Sequence, residues 1–125
     1  MNITRQASGT RAQRRGITAE SAASAALEQD GWTIRARRLQ TGVGEIDIVA
    51  DKNGLLAIIE VKSRKTLSDA AYALSARQRA RLIAAAEALL ALHPDWGATG
   101  VRFDVIVVDG DGKIRRISDA FRQES

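Results

Sequence analysis

The sequence predicts an α/β domain in which helices flank a mixed β-sheet. Helix-like segments occur at residues 18–29 and 75–93, with three strand-like segments between them and two after the second. Residues 55–63 begin with an apolar run on both strand faces, which is typical of a central strand covered by helices. The helix at 75–93 then forms a crossover, which predicts that the strand at 101–108 is parallel to the strand at 55–63.

The first helix is predicted to start with Thr18 as its N-cap and to end near Gln29. Asp30-Gly31 ends it, with Gly31 in the left-handed conformation that glycine adopts at low cost. One face of this helix carries small residues suited to close packing on a sheet. They are Ala22, Ala23, Ala25, Ala26 and Leu27.

The second helix is predicted to start at Ser75 and to end before Pro94. Its apolar residues recur with helical spacing, which indicates one face turned to the core. They are Leu82, Ile83, Ala86, Leu89 and Leu90.

Alternating or β-branched segments predict five strands. Asn53-Gly54 predicts a hairpin turn between the second and third strands, because this pair accepts positive φ angles. In the second strand, alternation places Ile46, Ile48 and Ala50 on one side. The predicted strands are residues 32–39, 45–50, 55–63, 101–108 and 113–117, with the remaining C-terminal residues frayed.

Composition excludes several classes of site. The chain has 125 residues, 45% of them hydrophobic and 27% charged, as expected of a single globular domain. There is no cysteine, which excludes disulfides and thiolate metal sites. The single histidine, His93, argues against a histidine-rich zinc site and against a Ser-His-Asp triad.

The N-terminal segment differs from the rest in charge. Residues 1–16 carry four arginines and no acid, and the remaining chain holds 15 basic and 15 acidic residues. We expect a disordered basic arm over 1–16 and one domain over 17–122. The arm either contacts an anionic partner or only solubilises the chain. The sequence shows neither a signal peptide nor an apolar run long enough for a membrane span, so a cytoplasmic protein without membrane contacts is expected.

Charged residues at the ends of two apolar strands are the first indication of chemistry. Asp47 and Glu60 lie on neighbouring strands of the predicted hairpin, which can bring their carboxylates within several ångströms. Glu60 and Lys62 leave their strand on the same face. Paired carboxylates suit Mg²⁺ or Mn²⁺, which can activate water and polarise a phosphodiester, and a nearby lysine can orient that water. The alternative is a set of solvated charges that only balance one another.

The same residues resemble a known family. Gly-Glu-Ile-Asp at 44–47 and Glu-Val-Lys-Ser-Arg at 60–64 are similar to motifs of the YraN family of predicted endonucleases, within the PD-(D/E)XK nuclease superfamily. Gly-Ile-Thr-Ala-Glu-Ser-Ala-Ala at 16–23, Arg-Phe-Asp-Val at 102–105 and Ala-Phe at 120–121 extend the resemblance. It implies a restriction-endonuclease-like αβββαβ core, similar to that of Holliday-junction resolvases.

The resemblance also implies residue roles. Asp47 and Glu60 would be metal ligands together with the backbone carbonyl of Val61, and Lys62 would be the catalytic lysine. Glu20 would be a further acid from the first helix, although an acid near a helix N-terminus is also stabilised by the helix dipole. Glu45 would be either a secondary ligand or a partner of Lys62.

Gln78 has two interpretations. It lies one turn before Leu82 on the inward stripe and can face the site, while Ser75-x-x-Gln78 also matches a capping box. The family often has a lysine near this position, which this chain replaces with Arg77, Gln78 and Arg79.

Several basic residues can flank a substrate groove, although a solvated helix face is the alternative for the two on the second helix. These nucleic-acid-binding candidates are Arg37, Arg38, Arg64, Lys65, Arg77 and Arg81.

The sequence therefore favours a Mg²⁺- or Mn²⁺-dependent endonuclease acting on DNA, including branched or recombination intermediates. The absence of an interleaved aromatic series argues against a single-strand-binding surface. Two alternatives stay open: a non-catalytic nucleic-acid-binding module with the nuclease fold, and an RNA-directed nuclease. A homodimer would supply two active sites to a two-fold-symmetric junction.

Overall fold

The computed structural model describes residues 11–68 and 74–122, with side chains described from residue 19 onward. This part of the chain forms two helices and five strands. In chain order they are α1 (Arg11–Gln29), β1 (Thr33–Thr41), β2 (Gly44–Lys52), β3 (Leu55–Ser63), α2 (Ala76–Leu92), β4 (Gly100–Val108) and β5 (Ile114–Phe121).

The strands form one mixed sheet in the order β1-β2-β3-β4-β5. β1–β2, β2–β3 and β4–β5 pair antiparallel, whereas β3 and β4 pair parallel. α2 makes the crossover between the two parallel strands, as the sequence predicted. The predicted α/β class is therefore confirmed, and the architecture is consistent with a restriction-endonuclease-like core.

Each face of the sheet buries a separate hydrophobic core. Under α1, Ala23 and Leu27 pack on Ala57, Ile59 and other residues of the sheet. Under α2, the corresponding strand residues are Leu56 and Ile58, which pack with residues of the helix. β3 is therefore buried on both faces, which explains its uninterrupted apolar run.

The ends of α2 confirm the sequence prediction. Ser75 is the N-cap, and its hydroxyl accepts a hydrogen bond from the backbone N–H of Gln78 at 3.1 Å. Gln78 Oε1 accepts in return from the backbone N–H of Ser75 at 2.9 Å, which completes the capping box. His93 is the C-cap, immediately before Pro94.

α1 is longer than predicted. Its C-terminal end is as expected, with Gly31 at a φ of 89°. Its first residue is Arg11, so the prediction of Thr18 as the N-cap is wrong. The residues before Thr18 are mostly alanine, glutamine and arginine, whose helix propensity outweighs the capping preference of one threonine. Residues 11–16 of the predicted arm thus lie in α1, and residues 1–10 lie outside the described part.

β5 also extends further than predicted, to Phe121, so the prediction of a frayed end after residue 117 is wrong. The Phe121 ring stacks on Phe103 of β4 at a centroid distance of 4.9 Å. The backbone N–H of Asp119 donates to Asp104 Oδ1 at 2.9 Å. These contacts hold the end of the strand against the sheet, and neither is visible as a local sequence pattern.

Asp104 is a fully buried acid at the centre of a charge network between β4 and β5. Arg102 donates two hydrogen bonds to its carboxylate, at 2.8 and 2.9 Å. Arg116 Nη2 donates a further one at 3.0 Å. No helix of the described residues is long and apolar enough to cross a membrane.

Replacing Asp104 with alanine should lower the free energy of unfolding by about 3–5 kcal/mol, because Arg102 and Arg116 then lose the anion that pairs them inside the fold. Urea denaturation followed by circular dichroism measures the change. Asp51→Ala is the matched control, because Asp51 pairs with Arg35 at 2.7 Å on the surface. That substitution should cost no more than about 1 kcal/mol. Equal losses for the two variants would contradict the role assigned to Asp104.

Candidate active site

The sheet opens between β2 and β3. Their antiparallel ladder runs from Lys52–Leu55 to Ile48–Ile59 and ends there, although both strands continue. Beyond that point β2 stays paired with β1 as far as Gly44, and β3 stays paired with β4 as far as Ser63. The divergence leaves backbone groups of both strands without ladder partners.

The carboxylate of Asp47 occupies the start of this opening. Its Oδ2 accepts a hydrogen bond from the backbone N–H of Val61 at 2.8 Å. A side chain of β2 therefore replaces a backbone carbonyl as the partner of β3. This contact holds Asp47 beside the segment that carries Glu60 and Lys62. It also fixes the position of Val61, whose carbonyl as a metal ligand stays a prediction.

β2 changes its facing at Asp47. Ile48 and Ala50 pack in the core under α1, whereas Ile46 packs in the core under α2. The predicted placement of Ile46 on the same side as Ile48 is therefore wrong. The residue opposite Asp47 on β1 is Arg38, whose φ of 52° departs from extended backbone. The irregularity puts Asp47 where side chains from both helical layers can reach it.

Three carboxylates meet at this point. One oxygen from each of Glu20, Glu45 and Asp47 lies within 4.8 Å of the others. Glu20 comes from α1, so the structure brings the acid of the first helix to the strand acids as expected. Glu45 is a full member of this group, which is a larger part than the supporting one that the sequence suggested.

Glu60 adjoins the group and links it to Lys62. The Lys62 ammonium lies 3.2 Å from Glu60 Oε2, and the two side chains are only 13% and 19% exposed. The Glu60 carboxylate is also close enough to Asp47 to raise the pKa of that acid. The predicted proximity of Asp47, Glu60 and Lys62 is thus present in the structure.

The acids outnumber the cations that pair with them, because among the described residues only Glu45 and Glu60 of the four have ion-pair partners. Burial, followed by the Glu60 carboxylate, raises the pKa of Asp47 from an ordinary 3.8 to about 7, although the Val61 N–H opposes the shift. Burial also raises the pKa of Glu20, partly offset by Arg38 and increased again by Glu45. The carboxylates of such a site either bind protons at neutral pH or are stabilised in their ionised form by a bound cation.

A cavity of about 390 Å³ lies over the acids. Glu45, Asp47 and Glu60 form one wall, and Gln78, Arg81 and Leu82 of α2 form the other. Gln78 caps α2 and also lines the cavity, so its capping role is confirmed and its catalytic role stays a prediction. The hairpin residues Val43 and Gly44 complete the lining.

The predicted basic residues divide by position. Arg38 Nε lies 3.5 Å from Glu45 Oε1, and Arg37 donates to Ser21 Oγ of α1 at 3.2 Å. Arg81 lines the cavity, a position that sequence analysis did not separate from the solvated face of α2. Its neighbour Leu82 belongs to the inward stripe of α2, and this adjacency is the sequence signal that could have predicted the position of Arg81. The remaining three, Arg64, Lys65 and Arg77, are exposed outside the cavity.

The donor set fits a hard divalent cation. Carboxylate oxygens are the preferred protein ligands of Mg²⁺ and Mn²⁺. Three of them lie within 4.8 Å of one another, and one of the three, that of Asp47, has a raised pKa. A divalent cation would neutralise the charge that disfavours ionisation of Asp47.

Asp47→Asn should stabilise the metal-free protein at pH 8. Folded Asp47 binds its proton more tightly than unfolded Asp47 does, so its contribution to stability is full below about pH 4 and is lost as the pH rises through 7. Asparagine carries no charge and can still accept from Val61 N–H. We expect a gain of at least about 1 kcal/mol at pH 8 that disappears only below about pH 4.

Denaturation with EDTA present, at pH values from 4 to 8, measures this difference. Glu87→Gln removes an exposed acid of α2 and serves as the control for net charge. A variant Asp47→Asn that is less stable than the wild type at pH 8 would contradict the electrostatic description of the site.

The comparisons with known proteins agree with one family. Residues 19–108 match the family described as "Uncharacterised protein family UPF0102". A UPF0102 protein of Granulibacter bethesdensis is 63% identical over 114 residues, covering 91% of this chain and 72% of that relative. A relative from Rhodopseudomonas palustris is 44% identical, and the match covers 86% of this chain and 83% of that relative. A relative from Azorhizobium caulinodans is 46% identical, and the match covers 90% of this chain and 86% of that relative. The expected YraN-like family is thereby confirmed, and the chain belongs to UPF0102.

Proposed function

We propose that this protein is a divalent-metal-dependent endonuclease that hydrolyses phosphodiester bonds in DNA. The observation that carries the proposal is the meeting of four carboxylates and a lysine where β2 and β3 separate. Membership of the PD-(D/E)XK superfamily is part of the same proposal. It is supported by the Asp47, Glu60 and Lys62 pattern on a hairpin of a mixed sheet.

Glu20, Glu45 and Asp47 would hold Mg²⁺ or Mn²⁺, with Glu60 beside them. The chemistry that such a cation supplies when bound is polarisation of the phosphodiester and a lowered pKa of water. The acids must be ionised to bind the cation, and the hydrogen bond from Val61 N–H favours the ionised form of Asp47. The hydrogen bond from Val61 also keeps this carboxylate oriented toward the cavity.

Lys62 is placed to handle charge. Its ammonium is largely buried and fixed by Glu60 at 3.2 Å, which restricts the rotamers of a flexible side chain. From this position the ammonium can donate hydrogen bonds to an attacking water or to a phosphoryl oxygen. Preorganised donors of this kind stabilise charge that develops in the transition state.

A nucleic acid is the proposed substrate because the site suits a phosphodiester and basic side chains lie near it, and DNA is favoured over RNA by the resemblance to PD-(D/E)XK nucleases. Arg37 and Arg38 lie on the β1 side, Arg81 on the α2 side, and Arg64 and Lys65 follow β3. Cations around a groove bind the backbone of a nucleic acid without reading its sequence. The proposal includes branched DNA among the substrates and a homodimer as the form that acts on it. It also includes a cytoplasmic location.

The wild-type protein should cut DNA in the presence of Mg²⁺ or Mn²⁺ and should lose the activity in EDTA. Asp47→Asn and Lys62→Ala should each lower the rate by about 10²–10³-fold, because one removes a ligand charge and the other a donor to the reacting phosphate. Labelled four-way junction, duplex, single-stranded DNA and RNA are the substrates to compare. Glu87→Gln is the control for the loss of a surface charge.

The outcome separates the candidate functions. No metal-dependent cutting by the wild type, or equal cutting by Asp47→Asn, would reject the nuclease. Junction binding without cutting would instead favour the non-catalytic binding module. Preferential cutting of RNA would favour the RNA-directed enzyme.

Metal binding can be measured without any substrate. Mn²⁺ titration followed by electron paramagnetic resonance should show that Glu20→Gln and Glu45→Gln each weaken binding by about tenfold or more. Glu87→Gln should bind Mn²⁺ as the wild type does. Full Mn²⁺ affinity in Glu45→Gln would remove Glu45 from the ligand set and leave Asp47 and Glu60 as the predicted pair.

A further inference from the structure

In the part of the chain that the structure describes, Arg81 is a cation without a partner, and it lies in a cavity lined by acids. It shares the lining with Glu45, Asp47 and Glu60. Among the described residues, no carboxylate lies within ion-pair distance of its guanidinium, and its side chain makes no hydrogen bond. The residue is exposed, so the guanidinium remains open to solvent at the cavity.

The other cations of the site are already engaged. Lys62 pairs with Glu60 at 3.2 Å, and Arg38 lies 3.5 Å from Glu45. Arg81 therefore differs from them, because binding a new anion would cost it no existing ion pair. Its planar guanidinium can offer two parallel donors to a phosphate, which an ammonium cannot do.

The β1–β2 hairpin positions the stem of Arg81. Gly44 has a φ of 154° and immediately precedes the acid Glu45. A Cβ built on Gly44 would lie 2.9 Å from Cγ and 3.0 Å from Cδ of Arg81. Real Cβ atoms do not approach other atoms so closely, so the missing side chain of Gly44 creates the space in which the arginine stem lies.

From these contacts we infer that Arg81 is a catalytic residue that contacts a non-bridging oxygen of the substrate phosphate held over the acids. The inference rests on the proposed nuclease function and adds a residue to it. Lys62 lies on β3 next to Glu60, which lines the cavity, whereas Arg81 lines the cavity from α2. A phosphate between them would meet a donor on each side, and Gly44 would keep the second donor in place.

Kinetics with single-site variants test this role. Arg81→Ala should lower kcat by about 10²-fold, as expected for the loss of one donor to transition-state charge, with a smaller change in KM. Arg81→Lys should recover little, because an ammonium cannot form the paired contact. Gly44→Ala should also lower kcat at unchanged net charge, because the added Cβ would meet the arginine stem and because alanine is strained at a φ of 154°. Thermal unfolding of each variant confirms that it is folded.

The control is Arg122→Ala. Arg122 is an exposed arginine that lines a different cavity beside α2, and it pairs with Asp119 on the surface. It should retain the wild-type kcat. If Arg81→Ala also retained the wild-type kcat, the inference would be overturned and the proposed nuclease would stand.

A binding measurement is independent of cleavage. In the Asp47→Asn background with EDTA, the affinity for duplex DNA should fall with salt, and adding Arg81→Ala should reduce the slope of log K against log[salt] by about 0.9. An unchanged slope would overturn the phosphate contact even if the wild type cuts DNA. A reduced slope with an inactive wild type would instead reject the nuclease and keep Arg81 as a phosphate-binding residue.

Discussion

The hydrogen bond from Val61 N–H to the Asp47 carboxylate is the contact on which the site depends. Where two strands diverge, the backbone groups that leave the ladder need new partners. Here one of those partners is an acidic side chain, which is thereby oriented and partly stripped of water. The same contact joins β2, with Glu45 and Asp47, to β3, with Glu60 and Lys62. A separation within the sheet thus becomes a place where functional groups from two strands meet.

The arrangement is electrostatically unfavourable by itself. Four carboxylates approach one another with partial burial, and the pKa of Asp47 rises as a result. The fold supports this arrangement with two well-packed cores that cover both faces of the sheet. Asp104 shows the contrasting solution, because its complete burial is matched by two arginines. The charge of Asp104 is neutralised within the protein, whereas the four site acids have only two ion-pair partners among the described residues.

The sequence was sufficient for most of the fold. Capping residues, the Asn53-Gly54 turn and the apolar run of β3 are local signals, and they predicted the order of elements, the hairpin and the parallel crossover. The pairing of Glu60 with Lys62 followed from strand periodicity alone. Periodicity failed at Ile46, because the change of facing at Asp47 is coupled to the left-handed Arg38 on another strand. The joining of Glu20 to Glu45 and the position of Arg81 also depend on packing between layers, which no single segment encodes.

The small residues of α1 have a consequence for the geometry of the acids. Ala19 and Ala23 are buried against the sheet, so the backbone of the helix lies close to β2 and β3. Glu20 therefore lies close to the strand acids, because the small alanine side chains set the distance between α1 and the sheet. The separation between Glu20 and Asp47 is therefore set by the packing of α1 on the sheet. A bulkier residue in place of Ala23 would change this separation, although Ala23 contacts neither acid. Residues of the inner helix face thus act as spacers for the candidate site, and their size affects the geometry of the acids as well as stability.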